Sequence, residues 1–209
     1  MKMAEKVMEK EEEVTEKKSE PVKAVKKWKG KDWFNIFAPE ELGKIFIAQT
    51  PATDPKTLLG RSVIVSVADI LGDDSKYYMK IRFVVNKIDG KNLNTTFGGF
   101  ECMREHVIRF VRKNMEKLEH IMHITTKDKH KLRIKSIIIL NSKAANSVKK
   151  NVRQLTTKII EDYASKYGIY EFLRRILTTE VQMRIKNEAS KIYPVRFAEI
   201  EKIKVLKSS

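Results

Sequence analysis

Cysteine is almost absent: Cys102 is the one thiol in 209 residues, which rules out an internal disulfide and a cysteine-cluster zinc site and fits a reducing compartment. Long apolar runs are absent too. None approaches the roughly 20 residues needed to cross a bilayer, and the charged N-terminus has no apolar centre of the kind a signal peptide carries, so the expected setting is the cell interior, with no membrane partner. Gly98-Gly99 lacks the helix-opening glycines of a dinucleotide fingerprint and the lysine-serine pair of a phosphate loop, and is expected to form a turn. Acidic residues are in deficit. Against 43 Lys and Arg stand 27 Asp and Glu, a formal net charge of +16. That excess must be neutralised by a polyanion or remain mutually repelling, which points to RNA, DNA or an anionic membrane surface.

What is present suffices for a core. With 42% hydrophobic residues the chain can bury one sizeable domain. From Met1 to Lys31 lysine and glutamate alternate in blocks with little to bury, so the expected organisation is a flexible, disordered and basic N-terminal tail over 1–30 and a single globular domain over 31–207. Lys23, Lys26, Lys27, Lys29 and Lys31 surround Trp28, a mixture that suits a segment ordering on RNA, with the indole stacked and the lysines on phosphates; a solvated linker has the same composition. Trp33, Phe34, Ile36 and Phe37 follow and are expected to anchor the tail by packing.

Beyond Lys44 the alternation is that of strands. Leu58 to Ile70 carries Val63, Val65 and Val67 on one face, and Tyr77 to Asp89 carries Met79, Ile81, Phe83 and Val85 on one face with Lys80, Arg82 and Asn86 on the other. The two should pair. Asp89-Gly90-Lys91-Asn92 has the chemistry of a hairpin turn, and the strand returns through Leu93, Thr95 and Phe97. Glu101 to Leu118 reads as an amphipathic helix through Ile108, Val111, Met115 and Leu118. A second hairpin, Glu119 to Thr126 and Lys131 to Leu140 about a KDKH turn, follows it. Three helices come next: one with a stripe of Val148, Val152, Leu155, Ile159 and Tyr163, one over Ile169 to Leu177, and one through Val181, Ile185, Ala189 and Ile192, stopped at Pro194. The closing stretch, VRFAEIEKIKVL, is strand-like. The fold class expected is α+β: a curved, mostly antiparallel or barrel-like sheet of about six to seven strands flanked by about four helices.

Several of these stretches, taken in order, resemble one family. LLGRSVIVSVADI from Leu58 to Ile70, the Lys31-Asp32-Trp33 triplet followed by Ala38-Pro39, GKNLNTTFGGF from Gly90 to Phe100, and KIYPVRFAEIEKIKVL at the end resemble the archaeal and eukaryotic small-subunit ribosomal protein family eS-one, older name S-three-A-e. The resemblance runs from about Lys31 to Leu206. It implies a place on the platform of the small ribosomal subunit near the mRNA exit and the 3′ end of the small-subunit rRNA, beside other platform proteins, with mRNA nearby. The short C-terminus looks like that of archaeal members. Eukaryotic members carry a longer basic loop where this chain reads NSKAANSVKKN, so Lys143 stands in a shortened segment, while Lys149, Lys150 and Arg153 match the basic start of the helix.

No catalytic set emerges from the residues. His120 and His123 fall at an odd offset on a strand and point to opposite faces, which disfavours a shared metal. Cys102 and His106 have no third ligand or orienting carboxylate nearby in sequence, and Asp73-Asp74 beside Gly72 has a sufficient reason in turn formation. The expectation is therefore a non-enzymatic protein without cofactor or metal, a cytoplasmic structural constituent of the small subunit that binds rRNA. An RNA-modifying enzyme and a DNA-binding chromosomal protein are the alternatives. The candidate RNA-binding residues are Lys26, Lys27, Trp28, Lys29 and Lys31 in the tail and Arg61, Arg112, Lys113, Lys143, Lys149, Lys150 and Arg153 beyond it.

Overall fold

The computed structural model describes residues 30–207. The chain divides into one unit, Met1–Lys31, and a second, Asp32–Ser209, and the architecture below is that of the second. Its described elements follow the order β1 (Asp32–Phe37), β2 (Phe46–Ala52), β3 (Ser62–Ser66), α1 (Val67–Leu71), β4 (Met79–Asp89), β5 (Asn92–Cys102), α2 (Arg104–Ile108), β6 (Glu116–Thr125), β7 (Lys131–Leu140), α3 (Asn146–Lys166), α4 (Ile169–Leu177), α5 (Glu180–Ser190) and β8 (Val195–Lys207).

The eight strands form one mixed sheet whose main path is β2-β1-β5-β8-β7-β6, with β4 on the other side of β5 and β3 outside β4. β5 is the branch point. It pairs with β4 along its length, with β1 in parallel at Asn92–Asn94, and with β8 at Gly99–Glu101. Because β2, β3 and β6 each pair on one side only, the sheet is open, which corrects the barrel-like alternative; the other described pairings are antiparallel. The strand beyond the expected number is β1. Its Phe34 and Ile36 are buried but Trp33 is 51% exposed, so the aromatic run is an alternating strand and not a packing anchor throughout.

Two departures among the helices have physical causes. The helix expected from Glu101 to Leu118 is cut to five residues: Glu101 and Cys102 belong to the end of β5, the helix stops at Ile108, and Asn114 at φ 68° turns the chain into β6, where Leu118 pairs with Ile138 of β7. Ile108 is 63% exposed, so the apparent stripe faces water at its start. The end of the valine-rich strand instead winds into α1, capped by the Ser66 hydroxyl accepting from the Ala68 amide. Five α-helices are thus described in place of about four.

Gly98-Gly99 is not a turn but sits inside β5. Arg82 pairs with Gly99 and Phe83 with Phe97, so Gly98 is an extra residue, a β-bulge. That slip lets Phe97 and Phe100, an odd number of residues apart, both face the core beside Phe83 and Ile81. The main core joins β4–β8 to the inner faces of α3, α4 and α5, while Phe34, Ile36, Ala52, Leu58, Val85 and Leu93 form a second, smaller one.

Candidate nucleic-acid interface

Lys26, Lys27, Trp28 and Lys29 lie outside the described residues. Lys31 is half-exposed just ahead of β1. The Arg61 guanidinium donates to the Thr50 hydroxyl and to the Pro51 carbonyl at 3.4 Å, tying the approach to β3 onto β2. Arg112 and Lys113 stand exposed in the turn before β6, and Lys143 and Lys150 are exposed at the entry to α3. Lys149 is engaged with Glu116, whose other carboxylate oxygen accepts the Ala144 amide at 2.9 Å. That anion sits on the positive end of the α3 dipole, and the Lys149 bond followed by the Ala144 amide holds the carboxyl below its usual range. Arg153 lies next to His120, whose Nε2 shares a 2.7 Å hydrogen bond with the Thr157 hydroxyl. The structure therefore gathers Lys143, Lys149, Lys150 and Arg153 at the start of α3, with Arg112 and Lys113 leading into Glu116, and leaves Arg61 elsewhere.

A larger basic surface lies on the sheet itself. Directly opposed residues point to the same face, and the register draws one line across six strands: Ile64 of β3 opposes Arg82, Arg82 opposes Gly99, Gly99 opposes Lys204, Lys204 opposes Arg133, and Arg133 opposes His123. Two residues along runs a second line, in which Lys80 opposes Glu101, Glu101 opposes Lys202, and Lys202 opposes Lys135. Alternation sends the apolar partners inward. Ile81, Phe100, Ile203 and Ile134 are buried on the opposite face.

Some of these side chains engage one another. Lys202 pairs with Glu101 at 3.0 Å, Lys135 bridges Glu119 and Glu201 at 2.9 and 2.6 Å, and Arg133 donates to His123 at 2.8 Å. The Lys117 and Lys135 ammonium groups hold the Glu119 carboxyl down to about 2. Over the two glycines the surface sinks into an open hollow of ≈ 260 Å³, in which Lys80, Arg82, Lys202 and Lys204 face the single carboxylate of Glu101.

The residues weighed for catalysis have structural partners. Burial pushes the Cys102 thiol up to about 12, so it is no nucleophile at neutral pH. His106 lies flat on Tyr78, ring centroids 3.6 Å apart, and burial lowers its pKa. Asp73 accepts the Ser75 amide and hydroxyl as the cap of a short 3-10 turn. Among the described residues no group of three or more His, Cys, Asp or Glu is placed to hold a metal ion, and no helix is long and apolar enough to cross a membrane.

Comparison with known proteins decides the family. The model of the Ribosomal S3Ae family matches residues 19–209. The chain belongs to that family. The small ribosomal subunit protein eS1 of Sulfurisphaera tokodaii is 36% identical over 182 residues, 87% of this chain and 94% of the relative. Proteins of the same name from Methanopyrus kandleri and Archaeoglobus fulgidus are 32% identical over 184 residues and 35% over 182, covering 86% of this chain in each case and 87% and 86% of the relatives.

Within this S3Ae chain the helix-end cations were legible from sequence and the sheet-face cations were not. Lys80 and Arg82 could be seen to alternate away from the apolar face of β4, and Lys202 and Lys204 alternate with Ile203 and Val205 in β8. Their meeting across Gly99 depends on β8 pairing with β5, which local periodicity does not encode.

Proposed function

We infer that this protein is a structural, non-enzymatic constituent of the small ribosomal subunit in the cytoplasm, associating with its rRNA and with other ribosomal proteins. The family match over residues 19–209 carries this reading. The finer assignment is to the platform, near the mRNA exit and the 3′ end of the small-subunit rRNA, where neighbouring platform proteins and mRNA lie close by. In this assignment the cations at the start of α3, chiefly the exposed Lys143 and Lys150 and the half-buried Arg153, and those of the Arg112-Lys113 turn bind phosphates. Lys26, Lys27, Trp28, Lys29 and Lys31 add a stacking and phosphate-binding segment from the N-terminal extension, and Arg61 a further cation. The net charge of +16 supports a polyanionic partner.

The test is sedimentation of the tagged protein from its native cells through sucrose gradients in moderate and then high salt, with nuclease-treated lysate as control. Stoichiometric co-migration with small subunits through high salt is the expected result. Protein that stays at the top of the gradient would sink the ribosomal reading and return attention to a free RNA-modifying enzyme or a DNA-bound chromosomal protein, separated by the nucleic acid that copurifies.

A further inference from the structure

We propose that the exposed sheet face centred on Gly98-Gly99 is a seat for RNA phosphodiester backbone, with Arg82 and Lys204 as its two walls. The proposal deepens the ribosomal reading above and rests on it. Arg82 and Lys204 both oppose Gly99 from either side. At the usual spacing between strands their Cα atoms stand roughly 10 Å apart, so two long cationic side chains can close on one phosphate from both sides. Nothing rises between them. A Cβ on Gly99 would come within 2.7 Å of the Ile203 carbonyl oxygen, so the close approach of β5 to β8 demands glycine and leaves bare backbone as the floor.

Charge says what fits there. Lys202 is committed to Glu101, whereas Lys80, Arg82 and Lys204 have no acidic partner among the described residues. Uncompensated cations in a shallow open hollow suit a regularly charged backbone. Farther along the same line Arg133 supplies another cation, so the seat continues in one direction across the strands, as a chain of phosphates requires. At the other end Ile64, 54% exposed, offers an apolar surface to a sugar or base. Recognition of this kind reads phosphates and not sequence.

The test titrates full-length wild type, R82E/K204E and, as a comparison, K143E/K150E against purified archaeal small-subunit rRNA at several salt concentrations. Loss of two phosphate contacts should lower the salt slope of log affinity by about 1.4 and weaken binding at least ~10-fold near 0.1 M salt. Thermal unfolding should be unchanged, since both side chains are exposed; should it shift, R82Q/K204Q, which keep side-chain bulk, must show the same loss of slope or the proposal fails. Wild-type affinity and slope in R82E/K204E would overturn the seat while leaving the ribosomal reading intact. Unchanged rRNA binding with failure to enter small subunits would mean that the face takes an acidic segment of a protein neighbour, which also overturns it. Wild type that neither binds rRNA nor sediments with subunits refutes both.

Discussion

Replacing Gly99 by alanine should destabilise the fold far more than replacing Gly98, although the two are adjacent and alanine is the smallest change available. A Cβ at Gly99 meets the Ile203 carbonyl oxygen at 2.7 Å, and that atom is backbone belonging to the pairing strand. Relief requires β5 and β8 to part by several tenths of an ångström. Their ladder is only three residue pairs long, Gly99–Lys204, Phe100–Ile203 and Glu101–Lys202, so the strain cannot be spread along a long interface. Overpacking of about 1–3 kcal/mol plus one weakened hydrogen bond at about 1 kcal/mol gives about 2–4 kcal/mol. At roughly 2–4 °C per kcal/mol for a domain of this size, Gly99→Ala should unfold on the order of 4–16 °C below wild type. At Gly98 the first obstacle is the Val84 Cγ2 at 2.6 Å, a methyl of a half-buried side chain that must turn aside, with the Arg82 carbonyl oxygen at a milder 3.3 Å. Gly98→Ala should therefore lie within about 1–2 kcal/mol of wild type. Thermal unfolding followed by circular dichroism measures both. Equal losses, or a larger loss for Gly98→Ala, would refute the claim that backbone approach at the β5–β8 junction makes Gly99 indispensable.

Three further outcomes follow from the core and its charges. Glu199 is buried; burial raises its pKa, partly offset by the Gln182 amide at 2.8 Å and the Ile200 N–H. Its folded pKa lies above the unfolded one, so its contribution is fullest below the unfolded carboxylate range and is lost as pH rises through the folded value; Glu199→Gln should flatten that decline in a urea-unfolding series and be at least as stable as wild type at neutral pH. Ile160 of α3 is fully buried in the main core, so Ile160→Ala should cost about 2–5 kcal/mol in urea unfolding, and a loss below 1 kcal/mol would contradict its burial. Glu116 behaves oppositely to Glu199: its pKa is depressed, so its stabilisation is present above the unfolded carboxylate range and lost as pH falls through the folded value. Glu116→Gln should accordingly reduce the acid-limb slope between wild-type and variant unfolding curves, and identical limbs would show that the Lys149 and Ala144 bonds do not form in solution.

Local signals carried much of the architecture. The β4–β5 hairpin at Gly90-Lys91, the β6–β7 hairpin about Lys127 to His130, the three helices α3, α4 and α5 and the final strand all lie where alternation and helical period put them, because each buries a face that its own spacing defines. The misreadings occur where a distant partner overrules the local pattern. Ile108 and Leu118 share a helical spacing, yet Leu118 is claimed by the β7 ladder. Gly98-Gly99 has the composition of a turn, but sits in mid-strand, where β4 crowds Gly98 and the β8 backbone passes too close to Gly99 for a side chain. The same dependence hid the sheet face. Its lysines come from strands whose neighbours only the assembled sheet reveals, whereas the cations at the start of α3 share one short stretch of sequence.

The position of β8 between β5 and β7 also sets an order of events during synthesis. Hydrogen bonding joins β1–β5 to β6–β7 through β8 alone among the described strands, and β8 leaves the ribosome after all of them and after α3, α4 and α5. Until it arrives, the nascent chain holds two separate partial sheets with facing edges unpaired, an arrangement that folds slowly and invites wrong pairing. Lys202 and Lys204 arrive with that same strand. An incomplete chain thus lacks one wall of its basic face, and the surface becomes whole only in a molecule whose folding is finished.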